Sequence, residues 1–391
     1  MDYQLLTHQA DSRSIYIHIP FCSHICYYCD FNKVYIEGQP VDQYVDSLIR
    51  EMQAYRDALA RQPIETIYIG GGTPSTLTSD QLERLFTALN QLITLAPDYE
   101  FTFETNPNDI TADKLETLKK VGVNRLSMGI QSFDDNLLEK IGRTHRAQQA
   151  IDAVKLAQEI GFDNISVDLI FRLPGQSLAN FKASLDQALA LDLPHYSIYS
   201  LILEQKTVFY NLMRQGKLPL PSQDEEADMF ELAIQSMEKS GRHHYEISNY
   251  GKPGYESKHN LAYWDNSYYY GFGAGAHGYL NGYRYANHGP IQHYLKAVED
   301  QGHAIIHERY LDRKQEIEEE MFLGLRKHKG VSRQVFKDRF GCDFYEDIYK
   351  DTIDHLLDQD LVVLTADRLY LTHHGMFIGN EVFQAFLIDE E

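Results

Sequence analysis

Basic residues and cysteines are scarce in this chain of 391 residues, and each shortage removes a class of function. Lys and Arg number 36 against 57 Asp and Glu, a formal charge of -21. A phosphate backbone is gripped by a basic face that displaces its counterions, so nucleic acid is not an expected partner. No run of about eighteen apolar residues occurs and no basic-then-apolar leader opens the chain, so no integral membrane segment is expected. A soluble, cytoplasmic protein is the expectation. Only four cysteines are present, three of them close neighbours, which would leave one thiol over in any disulfide pairing. The fourth, Cys342, reads as a lone thiol. The apolar and charged fractions, 43% and 24%, are ordinary, and the length allows one large domain plus a smaller one.

What is present centres on IYIHIPFCSHICYYCDFNK, residues 15–33. Cys22, Cys26 and Cys29 lie there at C-x3-C-x2-C, directly after a β-branched and aromatic run that reads as a strand. Three close thiolates on a loop suit an iron–sulfur cube, one sulfur to each iron corner, with the fourth iron left open. An open iron can be chelated by the amino and carboxylate groups of S-adenosylmethionine, and one electron from the reduced cube can cleave a carbon–sulfur bond. Zinc is the alternative, with His18 or His24 completing a tetrahedron. The spacing, with Tyr28 just before the last cysteine, resembles the radical S-adenosylmethionine superfamily.

Downstream, helical and strand-like periods alternate. Helices are expected at about 40–61, 79–95, 112–121, 148–160 and 178–191, each followed by a short β-rich run: ETIYIG, YEFTFE, RLSMGI, NISVDLI and HYSIYSL. With the opening strand this makes about six strands. Such alternation gives right-handed crossovers and a parallel sheet. The expected fold is therefore α/β, an incomplete parallel (β/α)6 barrel, with an open doubly wound sheet as the alternative. In parallel barrels the chemistry sits at the carboxyl ends of the strands, where this chain places its polar clusters. The second strand ends in Gly70-Gly71-Gly72-Thr73-Pro74, whose exposed N–H groups suit the amino acid end of a ligand. Glu104 ends the third strand and Gln131 the fourth, a carboxylate for an ammonium and an amide for hydroxyls. Arg143 offers a fork for a carboxylate. Asp168, inside the apolar VDLIF, needs a polar partner and is read as facing the cofactor.

Taken together, HIPFC-x3-C-Y-x-C, GGGTPS, FETNP, LSMGIQSF, GRTH and DLIFRLPGQ resemble the family of oxygen-independent coproporphyrinogen III oxidases and the heme chaperones related to them, over almost the whole chain. The resemblance implies a 4Fe-4S cluster on Cys22, Cys26 and Cys29. It implies S-adenosylmethionine contacts at Tyr16, Tyr28, Gly71, Gly72, Thr73, Glu104, Gln131, Arg143 and Asp168, with a further one near Ile202. Such a cluster calls for an electron donor such as a flavodoxin or ferredoxin. Two departures separate the branches. The oxidases carry a fourth cysteine, C-x3-C-x2-C-x-C, where this chain continues Asp30-Phe31-Asn32, and they have a longer segment before the motif. Both departures point to the chaperone branch, which binds heme and passes it to an acceptor protein. Oxidative decarboxylation of coproporphyrinogen III is the alternative. Arg172 stands where relatives usually have glycine, and 203–207, LEQKT, lacks their Pro-Gly turn.

Beyond the barrel region, 1–205, residues 206–309 read as a barrel extension. It holds an acidic helix at about 223–240 and the aromatic segment SKHNLAYWDNSYYYGFGAGAHGYL with the only tryptophan, Trp264. Aromatic faces beside a histidine can wall a porphyrin, with His259 as iron ligand. The alternative is that His259 and His277 are hydrogen-bonded core histidines. HNLAYW matches the HNxxYW motif that the resemblance associates with heme, again at His259. Gly271 to Gly275 have the wrong spacing for a dinucleotide loop. Residues 310–391 read as a mainly helical, winged-helix-like domain. Its ten Lys and Arg against eighteen Asp and Glu favour a lid or docking role over DNA.

Overall fold

A period of two governs the sheet from its first strand. In β1, Ser14–Ile19, the side chains of Ile15, Ile17 and Ile19 are fully buried in the main core, while Tyr16 and His18 turn to the other face. The computed structural model describes residues 12–388. The same alternation recurs in β2 (Ile64–Gly71), β3 (Leu95–Thr105), β4 (Arg125–Gln131), β5 (Asn164–Phe171) and β6 (His195–Ser200). Ile67, Ile69, Phe101, Phe103, Leu126, Met128, Ile165, Val167 and Ile198 belong to the outer, apolar face. Their strand neighbours Thr66, Glu100, Thr102, Arg125, Ser127, Ser166, Asp168 and His195 occupy the inner one. The register puts these inner residues side by side, Thr66 opposite Glu100, Thr102 opposite Arg125, Ser127 opposite Ser166 and Ser166 opposite His195.

Helices α1 (Val41–Ala54), α2 (Ser79–Asn90), α3 (Ala112–Lys120), α4 (Ala147–Glu159) and α5 (Leu178–Ala190) cover the apolar face. Their starts are set locally: Thr78 and Ser177 close capping boxes, and Thr111 accepts from the Lys114 amide. The helix expected over 40–61 is interrupted at Tyr55 and resumes for one turn. Strands β1 to β6 are all parallel and lie in sequential order. Without a reversal of order, right-handed crossovers place every connecting helix on the same side, so the sheet curls around its inner face. A doubly wound sheet needs a reversal, and that alternative is excluded. The order ends in antiparallel strands Asn249–Gly251 and His243–Glu246 beyond β6, so the barrel stays open.

Three strands of the barrel sheet were not foreseen: His243–Glu246, Asn249–Gly251 and, at the opposite edge, Tyr270–Phe272. Tyr270–Phe272, from the glycine-rich segment, pairs in parallel with β1. Its glycines serve this close approach: a Cβ on Gly273, at φ +99°, would stand 2.5 Å from the His18 carbonyl oxygen. Glu51 of α1 clamps the segment in place. Its buried carboxylate accepts from the Gly273 amide, the Asn287 side-chain amide and the Tyr294 hydroxyl, each at 2.8 Å.

The C-terminal part has its own core, in which Phe336, Phe344, Ile353, Leu369 and Val382 meet. Helices Arg313–Gly324, Arg333–Phe340 and Lys350–Asp358 pack with an antiparallel sheet of Val331–Ser332, Arg368–Leu371 and Val362–Leu364, the winged-helix-like succession expected. Backbone bonds from Ile247 N to Arg326 O, 3.1 Å, and from His328 N to Tyr245 O, 2.9 Å, join it to the barrel edge. Among the described residues no helix is long and apolar enough to cross a membrane.

Because three buried donors share the Glu51 carboxylate, Glu51→Ala is expected to cost about 3 kcal/mol or more of unfolding free energy. Urea denaturation of the variant checks this, and a loss below about 1 kcal/mol would show that water replaces the carboxylate.

Candidate functional site

The cysteine loop leaves the carboxyl end of β1 and is tied down on several sides. Phe21–Cys22 pairs in parallel with Val34–Tyr35, and the Tyr27 amide donates to the Ile141 carbonyl at 3.1 Å. His18 braces the loop from below, Nδ1 against the Tyr16 hydroxyl at 2.9 Å and Nε2 against the Asn32 carbonyl at 2.7 Å. Asn32 in turn donates to the Ala274 carbonyl at 2.8 Å. With both ring nitrogens engaged, His18 cannot complete a zinc tetrahedron here. All three cysteines are free, Cys22 buried and the others half-buried. Burial pushes the Cys22 thiol up to about 11 and raises that of Cys29. Such thiols keep their protons unless a cation replaces them. Among the described residues no three His, Cys, Asp or Glu side chains gather as a single-ion site would require. A cube makes no such demand, since each thiolate takes a different iron, and three thiols spread along one loop fit it.

The loop forms the mouth of a cavity of about 280 Å³ that runs into the barrel along its polar face. This is close to the lower end of the roughly 300–1,000 Å³ usual for ligand pockets. Its walls include Cys22, Cys26, Cys29, Tyr28, Gly71, Gly72, Thr73, Glu104, Gln131, Arg143 and Asp168, which brings together the expected site residues from five strands. Tyr16 is the exception: its ring stacks behind Tyr68, with centroids 6.3 Å apart. Ile202 is largely exposed.

The glycines at the end of β2 have a packing reason that spacing alone did not reveal. Gly71 has φ +121°, and a Cβ there would lie 2.7 Å from the His18 ring, while one on Gly72 would lie 2.8 Å from the Pro20 carbonyl carbon. They let β2 close against the base of the cysteine loop. Glu104 accepts from the Tyr68 hydroxyl at 2.6 Å and from the Gly71 amide at 3.3 Å, and burial pushes its carboxyl up to about 7. Asp168 accepts from Ser127 at 3.2 Å and is pushed up to about 6 by burial. Arg143 donates to the Asn106 side chain and to the Gly129 carbonyl, each at 2.8 Å, beside Tyr28. Two half-buried carboxylates, a guanidinium and the Gln131 amide around one space suit a ligand with an ammonium, a carboxylate and hydroxyls. Arg172 adopts φ +63°, the region that favours glycine, and pairs with Glu226 at 2.9 Å.

At its inner end the cavity meets the helix Lys258–Trp264, which carries HNLAYW, and Asn260 lines it there. Glu100 seats this helix by accepting from the Lys258 amide at 2.9 Å and the His259 amide at 3.1 Å. His259 is fully buried; its Nδ1 bonds Thr66 at 2.8 Å, its Nε2 bonds Tyr263 at 2.9 Å, and its ring stacks on Tyr68. In this arrangement neither nitrogen is open to an iron. His277, by contrast, is exposed. The inner-face residues Tyr68, Arg125, Ser127, Ser166, Ser197, Tyr199 and Asn249 also line the cavity. Sequence reasoning passed over them, although their alternation with apolar neighbours was a usable signal.

The curled parallel sheet with three cysteines at the mouth of a polar cavity defines a radical S-adenosylmethionine fold. Residues 16–188 match the Radical SAM superfamily and residues 311–378 the HemN C-terminal domain. The chain belongs to the HemW family: it is 49% identical over 376 residues to the heme chaperone HemW of Bacillus subtilis, covering 96% of this chain and 99% of that one. HemW of Escherichia coli is 35% identical over 96% of this chain and 98% of its own length. Among solved structures, the coproporphyrinogen III oxidase HemN of Escherichia coli shares the fold with a TM-score of 0.85 at 23% identity, over 98% of this chain and 92% of that one.

After anaerobic reconstitution with iron and sulfide, the intact protein is expected to show thiolate-to-iron charge-transfer absorbance, and Cys22→Ala, Cys26→Ala and Cys29→Ala each to lose most of it. Full retention in all three variants would remove these cysteines from the cluster.

Proposed function

We propose that this chain binds heme and passes it to an acceptor protein, with a 4Fe-4S cluster on Cys22, Cys26 and Cys29 and S-adenosylmethionine in the adjoining cavity. The observation that carries the reading is the continuity of that cavity, from the cysteine loop at one end to Asn260 of HNLAYW at the other. The HemW relatives, named heme chaperones, support it over nearly the full chain.

When bound, the cluster and S-adenosylmethionine supply an electron and a cleavable carbon–sulfur bond. The chain's own residues bind and orient. Glu104 takes the ammonium, Arg143 the carboxylate, Gln131 and Asp168 the hydroxyls, and Tyr28 closes the space beneath the cluster loop. A flavodoxin or ferredoxin is the electron donor in this reading, and the location is cytoplasmic. Position 31, where the oxidases have their fourth cysteine, holds Phe31, 65% exposed beside the cavity mouth. That substitution favours the chaperone over coproporphyrinogen III decarboxylation, which stands as the second reading. His259 reaches heme iron only when its ring leaves Thr66, Tyr263 and Tyr68, so ligation requires the start of the Lys258–Trp264 helix to swing out of the barrel.

Glu104→Ala is expected to weaken S-adenosylmethionine binding by about 2 kcal/mol, roughly thirtyfold in Kd, with the cluster intact; an unchanged calorimetric titration would remove Glu104 from the cofactor site. Anaerobic heme titration followed at the Soret band is expected to saturate near one heme per chain and to weaken by about tenfold or more in His259→Ala. No saturable binding, with turnover of coproporphyrinogen III instead, would transfer the assignment to the oxidase reading.

A further inference from the structure

Tyr68 stands between the two ends of the proposed site. Its hydroxyl donates to Glu104 at 2.6 Å on the cavity wall, and its ring lies against the His259 ring with centroids 5.2 Å apart and planes 27° from parallel. Thr66, two residues earlier on the same face of β2, bonds His259 Nδ1 at 2.8 Å. One strand therefore holds both the carboxylate assigned to the cofactor's ammonium and the histidine of HNLAYW. We infer that Tyr68 couples cofactor occupancy at Glu104 to the retention of His259 inside the barrel, so that S-adenosylmethionine opposes heme ligation by His259 and favours handing heme on. The inference rests on the proposed function above and adds its regulation.

The physical basis is the strength of one hydrogen bond. A hydroxyl donates more strongly to an ionised than to a neutral carboxyl. An ammonium beside Glu104 fixes it as a carboxylate and so tightens its hold on Tyr68. Burial, with the Asp168 carboxyl nearby, pushes this carboxyl up to about 7, which leaves room for a ligand to shift its ionisation at neutral pH. Firmer seating of Tyr68 keeps the flat surface on which His259 rests, and departure of that ring becomes harder. No covalent bond changes; the ligand biases an equilibrium between His259 seated and His259 released. By linkage the effect is reciprocal, and heme at His259 weakens the cofactor by the same factor.

Amide hydrogen exchange of residues 258–264, measured on the cluster-loaded protein with and without saturating S-adenosylmethionine, tests the coupling without requiring heme. The expected result is exchange slowed by about fivefold or more with cofactor in the intact protein. The slowing is expected to be absent in Tyr68→Phe, which keeps the ring and loses the hydroxyl. Unchanged exchange in the intact protein overturns the inference, as does equal slowing in Tyr68→Phe. Should that variant fail to load the cluster, Glu104→Gln, which cannot ionise, takes its place and is likewise expected to show no slowing; slowing at saturation would overturn the inference. In parallel, S-adenosylmethionine is expected to weaken heme binding by a similar factor in the intact protein and to leave it unaltered in Tyr68→Phe. Absence of heme binding under both conditions sinks the chaperone reading, while the exchange measurement still decides the coupling.

Discussion

Glu100, deep inside the barrel, is the residue on which the arrangement of the site depends. Its carboxylate accepts the first amides of the HNLAYW helix and lies 4.0 Å from the buried Arg125 guanidinium. Removing either partner of a buried ion pair leaves a charge without compensation, which costs roughly 3–5 kcal/mol. The pair is held further by neighbours, as Arg125 reaches Thr102 at 3.4 Å and His195 at 3.3 Å, and His195 bonds Ser166 at 2.7 Å. A barrel lined with polar side chains is tolerable because the register brings complementary groups together at each level. The cavity above is polar for the same reason.

From this floor the structure rises in two directions. Upward, β2 and β3 deliver Tyr68 and Glu104 to the cavity, and the glycines at the tip of β2 allow His18 to brace the cysteine loop. Sideways, the HNLAYW helix ends on the C-terminal domain. The Trp264 ring lies 5.1 Å from the Arg326 guanidinium and Lys327 pairs with Asp265, while the Trp264 indole donates to Glu246 of the barrel-edge strand at 3.1 Å. The helix that carries His259 is thus seated at its start by the barrel and at its end by the acidic domain.

Much of this was legible beforehand because it is local. The cysteine spacing, the alternation of helical and strand periods and the polar residues at strand ends are properties of short stretches. The strand Tyr270–Phe272 was hidden because its glycines, read as a loop, serve close packing against β1. The motif glycines were read as a ligand approach, and their steric partners His18 and Pro20 could not be known without the fold.

By itself, the sequence determined the chemistry available and its order along the chain: three thiols on one loop, then a carboxylate and an amide at successive strand ends, a guanidinium after a helix and a second carboxylate within the next strand. Only the tertiary structure decided which of these share a cavity and what shields His259. Thr66 and His259 are 193 positions apart, and their bond follows from strand register and from the seating of one helix on Glu100. Local spacing fixes which face of a strand a side chain occupies; the partner it meets there depends on how distant segments pack.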